Sequence, residues 1–295
     1  YGRGMRIGFS PRTASRMLAA AVAAMTLAAP VGAARAAVTD AFYDRVFMLA
    51  AHQKCDLFEP RLIAALDAAA LQARGAALRA GTPVADLTSA AARAQARASR
   101  TACDDSDLSR VKARVQAGFA GWSRAARMSF PGDRSAWRGD RYASREIGWR
   151  LVQDSVVGGS PVRFGLAGQG PTATSPVAVV SFAGRPRPYA ARLVMRDRVQ
   201  APRVWLTGGG LPPESARRVF FAASSRAAAS GLLTEGARQG EAWTFSSEAA
   251  DALAQLDPRE SFVIEFLFRD DSVASARFEA GDFAAGRAFL AMGSV

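Results

Sequence analysis

The spacing of apolar residues changes partway along the chain, and that change limits the possible folds more than any single motif does. From residue 40 to residue 128 the apolar positions recur at helical intervals. Thr39 can cap a first helix that turns Phe42, Val46 and Phe47 toward a core, and Pro60 suits the first turn of a second, with Leu62, Leu66, Ala69 and Ala73 in phase. Gly81 suits the end of that helix, Thr82 and Pro83 restart a third through Leu87, Ala91, Ala94 and Ala98, and Asp105 or Ser106 opens a fourth with Leu108, Val111, Val115, Phe119 and Trp122. From Trp149 onward the runs shorten and are punctuated by Gly, Pro and Ser. Strands are predicted at 149–152, 162–166, 177–182, 191–195, 204–206, 219–222, 242–245, 261–268 and 273–278. Short helices are expected from Ser246 or Ser247 to Leu256, and from Asp282, with Phe283, Ala284, Ala288 and Phe289 or Leu290 packing back on the sheet.

This order predicts an α+β fold: an N-terminal disulfide-closed helical bundle followed by an antiparallel β-sandwich with short capping helices. The expected divisions are a signal peptide with upstream residues at 1–36, a helical domain at 37–128, a linker at 129–148 and a β-sandwich domain at 149–295.

Cys55 and Cys103 are the only cysteines. One precedes the second predicted helix and the other follows the third, so an antiparallel hairpin of two nearly equal helices brings them to the same end. A disulfide is the expected outcome. His52, the sole histidine, lies close to Cys55, but structural zinc sites carry two paired ligand motifs and only one loose cluster exists here; no metal and no cofactor are expected.

The disulfide presumes an oxidising compartment, and the first residues supply a route to one. Arg6, Arg12 and Arg16 precede an apolar stretch from Met17 to Ala29, followed by Ala34-Arg35-Ala36, the pattern of a cleavable secretory signal for the general secretion route. The stretch is shorter than the roughly 20 apolar residues of a membrane span. The predicted location is the periplasm, with no transmembrane segment after cleavage. Removing Arg3, Arg6, Arg12, Arg16 and Arg35 from a net charge of +12 leaves +7. The remaining basic residues are scattered, without the aromatic interleaving that stacks bases, so nucleic acid is not an expected partner.

Catalytic patterns are sparse. No Gly-x-Ser-x-Gly elbow exists for a serine nucleophile, and Asp104, Asp105 and Asp107 read as a helix start, Asp270 and Asp271 as a hairpin turn. The densest unusual feature is an aromatic and arginine run that includes Trp122, Arg127, Trp137, Arg138, Arg141, Tyr142 and Trp149. It reads either as a seam between the two halves or as an exposed surface for a glycan, an anionic lipid surface or another envelope protein.

In the second half the order of Val177-Ala178-Val179-Val180, a strand ending at Met195, Trp243-Thr244-Phe245, a Ser-led helix, Phe262-Val263-Ile264-Glu265-Phe266, and then Phe278, Gly281, Phe283, Phe289 and Leu290 resembles the invasion-associated locus B family of exported alphaproteobacterial proteins. The resemblance spans residues 149–290 and implies a β-rich periplasmic domain without known enzymatic chemistry. The chain departs from the family in lacking a cysteine pair in that half and in carrying the helical region. The expected function is a non-enzymatic envelope protein with a binding, scaffolding or maintenance role. The alternative is a periplasmic enzyme acting on cell-wall or lipid material through carboxylates.

Overall fold

The computed structural model describes residues 31–170, 173–182, 186–207 and 210–295, with the backbone alone at 31–35. The signal expected at 1–36 lies outside the described residues up to position 30. Four helices come first: α1 (Val31–Cys55), α2 (Pro60–Arg79), α3 (Val84–Arg100) and α4 (Ser106–Arg124). Among the described residues eleven antiparallel strands and two short α-helices follow, so the chain is α+β as expected. None of the described helices is long and apolar enough to cross a membrane.

α2 is the central helix because alanine covers most of its circumference. Ala65, Leu66, Ala68, Ala69, Ala70, Ala73, Ala77 and Leu78 are all buried, and such small side chains allow neighbours to approach on several sides. Pro60 stands at its first turn as expected. At its other end Gly81 has φ of 84°, its N–H donates to the Leu78 carbonyl, and the Thr82 N–H donates to that of Ala77. This is the Schellman arrangement, which requires the left-handed conformation glycine adopts without strain. Thr39 does not cap α1, which begins earlier and contains it. Asp105 does cap α4, accepting from the N–H groups of Asp107 and Leu108.

Cys55 and Cys103 form a disulfide, with Cα atoms 5.5 Å apart, tying the end of α1 to the turn before α4. Beside it the Lys54 ammonium donates to the Ser99 and Thr101 carbonyls and closes the C-terminal turn of α3. His52 accepts from the Phe58 N–H through Nδ1 and stacks on the Phe58 ring, a local role at the helix end.

The strands form two sheets. The larger has the order β1 (Arg127–Pro131), β2 (Ala136–Asp140), β3 (Gly148–Val157), β4 (Ser160–Gly168), β5 (Pro176–Val180), β9 (Glu241–Thr244), β8 (Ser224–Ala227). The smaller has the order β11 (Val273–Glu279), β10 (Ser261–Leu267), β6 (Ala190–Arg196), β7 (Arg217–Phe221). Their facing sides share one core, where Phe164 of β4 meets Phe262 of β10 and Phe278 of β11 at ring separations of 5.2 and 5.6 Å.

Two expectations about this half need correction. Residues 129–148 are no linker: β1 and β2 form a hairpin, with Phe130 opposite Trp137, and extend the large sheet through β3. A single buried aromatic on each strand anchors it, which is too little apolar pattern to stand out in an Arg-, Gly- and Asp-rich stretch. Residues 204–206 form no strand, and the Trp205 N–H donates instead to the Glu260 carboxylate.

The halves are joined by α6 (Phe283–Ala291), with α5 (Ser247–Ala254) beside it. α6 packs on α2 on one side and on β1, β2 and β3 on the other. Two glycines permit this. A Cβ at Gly75 of α2 would fall 1.9 Å from the Asp282 carboxylate, and one at Gly286 would fall 2.6 Å from the Leu151 side chain. Through the first gap Arg79 of α2 reaches Asp282 in a two-pronged ion pair of 2.8 Å bonds. Burial pushes the Asp282 carboxyl up, against the pull of Arg79. Ala65 and Ala68 of α2 belong to the same core as the sandwich, so the helical and β regions share an interior.

Candidate functional site

The aromatic and arginine run divides between interior and surface because successive residues of a strand point to opposite faces. Trp137 faces inward and is fully buried, stacked on Phe262, 4.8 Å from Phe283 and donating its indole N–H to the Ala280 carbonyl. Arg141 is likewise 0% exposed; it donates to the carbonyls of Gly293, Ala125 and Ser123 and lies 4.9 Å from the centre of the Phe289 ring. Neither belongs to a surface, which corrects the expectation for both. Trp122 is half-buried on α4, edge-on to Phe119. Tyr142 is exposed, with its backbone held by Asp140 and Arg150.

Arg127, Arg138 and Trp149 do come together. They line an open cleft of about 490 Å³ on the outer face of the large sheet, with Met128, Ser129, Gly139, Asp140 and Val152. A β-bulge orients the indole. The register of β3 against β4 slips between Trp149 and Leu151, so that Arg150 turns into the protein and donates to the Gly168, Gln169 and Tyr142 carbonyls. Gly165 is needed at the slip, since a Cβ there would stand 1.8 Å from the Leu151 carbonyl oxygen. Trp149 then donates its N–H to the Leu232 carbonyl and packs beside Ile147, Leu232 and Leu233, where residues 228–240 cover the neighbouring strands.

The cleft's charges are matched. Arg127 pairs with Asp140 at 2.8 Å, and Arg138 with Asp154 at 2.8 Å. Asp140 also accepts the Tyr142 N–H. The result is an apolar floor, half indole and half aliphatic, between the Arg127–Asp140 pair and an Asp154 carboxylate shared by Arg138 and Arg163.

Asp154 also faces a second cleft of about 460 Å³, lined by Asp133, Glu279, Arg134, Arg259 and Arg277. Three carboxylates gather there, but two are committed. Asp154 takes Arg138 and Arg163, and Glu279 accepts the N–H groups of Arg134 and Ser135. Asp133, at the solvent edge in the β1–β2 turn, makes no hydrogen bond among the described residues. Partial burial and the nearby Glu279 charge push its carboxyl up, against the pull of Arg79 and Arg259. The turn residues Pro131, Gly132 and Asp133 were the signal that could have located it.

Among the described residues no group of three or more His, Cys, Asp or Glu could hold a metal ion. No family model matches the chain, and neither a curated relative nor a solved structure is found to be similar to it.

Proposed function

We propose that this chain is a non-enzymatic binding protein of the bacterial cell envelope, and that its ligand is a glycan held in the cleft beside Trp149. The observation that carries the proposal is the lining itself: an indole and Val152 flanked by the Arg127–Asp140 and Arg138–Asp154 pairs. A sugar ring offers a C–H face to an aromatic surface and hydroxyls that both donate and accept, so it can bridge each arginine–carboxylate pair. A simple anion gains little where each guanidinium already faces a carboxylate.

Envelope location is supported by the basic and apolar N-terminal pattern, by the disulfide and by the resemblance of residues 149–290 to exported proteins. The experiment is a titration with soluble peptidoglycan fragments followed by tryptophan fluorescence. Saturable binding is expected, lost in Arg138→Gln and weakened in Trp149→Leu, with Trp122→Phe unchanged. Absence of a saturable signal with any fragment sinks the reading.

The second reading is an enzyme, favoured by Asp133 alone. Glycoside cleavage generally requires a pair of carboxyl groups free to act, and here Glu279 and Asp154 are tied to the fold. Release of new reducing ends from the same fragments, abolished by Asp133→Asn, would replace the binding proposal.

A further inference from the structure

The helical half contains a trough that its own packing does not fill. α1 packs on α2 and α3, and α4 packs on α2, which leaves an opening of about 460 Å³ bounded by α1, α3 and α4 with Leu66 of α2 in its floor. That volume is in the range of single small-molecule sites. Phe47 and Met48 complete the buried floor. The opposite wall is the apolar stripe of α4. Leu108 is that helix's only fully buried residue, while Val111, Val115 and Phe119 stay half-exposed along the trough. A contiguous apolar lining of this kind, left open to water, calls for an occupant.

The rim specifies its charge. Arg45, Arg97 and Arg114 border the trough against a single acid, Asp44. No side-chain hydrogen bond or ion pair to any of the three is present among the described residues, although arginines elsewhere in the chain take carboxylates repeatedly. The Arg97 guanidinium instead stands 5.0 Å from the centre of the Phe47 ring. Arg45 is half-buried, and burial lowers its proton affinity against the opposing effect of Asp44. One half-buried guanidinium, Arg45, and two exposed ones, Arg97 and Arg114, border the apolar channel without a paired anion among the described residues, and a carboxylate would meet them in two-pronged geometry.

We propose that this trough binds one long-chain fatty-acid anion, with the acyl chain along Phe47, Met48, Val115 and Phe119 and the carboxylate at the arginine rim. A second copy of the chain is a poor occupant, because a symmetric contact would set arginines against arginines. A flat bilayer is equally poor, since the floor lies below the charged rim. The inference is independent of the glycan cleft, which lies on the outer face of the large sheet and takes another class of ligand.

The test is calorimetric titration of the purified full chain with dodecanoate below its micelle concentration, beside dodecyltrimethylammonium as a cationic chain of equal length. Dodecanoate should bind one to one, and the ammonium at least about tenfold more weakly, a difference of about 1.4 kcal/mol. The combined variant Arg45→Gln, Arg97→Gln, Arg114→Gln should weaken dodecanoate by at least about tenfold with an unchanged melting temperature. Equal affinity for the two chains, no binding of dodecanoate, or unaltered binding by the variant overturns the proposal. Should the variant fail to fold, a diazirine-bearing fatty acid added to the unaltered protein must label α1 or α4 beside the trough. Labelling elsewhere, or dimerisation in sedimentation that dodecanoate does not affect, also overturns it.

Discussion

Arg141 is fully enclosed, yet among the described residues it makes no ion pair with a carboxylate. Three main-chain carbonyls and an aromatic ring receive its guanidinium, and burial accordingly lowers its proton affinity, with Arg61 nearby adding to the effect. Arg150 is held by three carbonyls in the same way. Such a guanidinium fastens separate segments together: Arg141 joins the end of α4 to the residues that follow α6. Arg141→Ala strands those carbonyls in the interior and is expected to cost about 3–5 kcal/mol, read as a lowered urea midpoint. A loss under 1 kcal/mol would show that the carbonyls find water instead. The same residue shows why the site was only partly legible. Trp137 and Trp149 are the same amino acid in the same run, one at the centre of the core and one beside an open cleft. Composition marks both, but only the alternation of β2 and the bulge before Leu151 in β3 separate them, and of these two strands β3 is legible in the sequence but β2 is not.

At the level of elements, runs with a clear apolar pattern were readable whatever their length, the four-residue β9 included, and charged or exposed ones were not. α2, α3 and α4, the Gly81 turn and the strands from β3 to β6 follow directly from periodicity and turn chemistry. The β1–β2 hairpin did not, because each of its strands turns one large aromatic inward and fills most other positions with charged, small or proline residues. The short strand β8 was missed for a related reason, since its four residues are all exposed and are ordered by pairing with β9. The disulfide matters at this scale because α3 and α4, on either side of Cys103, bury little beyond Leu87, three alanines and Leu108. Joining residues separated by 48 positions stabilises by about 4 kcal/mol in the chain-entropy account. Cys103→Ser should lose about that much, and the oxidised protein treated with reductant should lose the same amount. If reduction leaves the urea midpoint in place, α1 and α3 are held by packing alone.

For the molecule as a whole, the shared core overrides the division expected between residues 37–128 and 149–295. The large sheet needs β1 and β2, and α6 is covered by α2 on the side away from the sheet. A fragment of residues 149–295 is therefore expected to lack a cooperative melting transition, while 37–295 retains one, as circular dichroism would show. A sharp transition in the shorter fragment would restore a self-sufficient β domain. The Arg79–Asp282 pair spans 203 positions of sequence, and this has a temporal consequence. During synthesis α2 emerges long before the helix that covers it, so its face toward α6 stays open until residues 283–291 have been added. The early helices are thus kept waiting for a late complement, and the last step that seals the joint interior is one of very long sequence range.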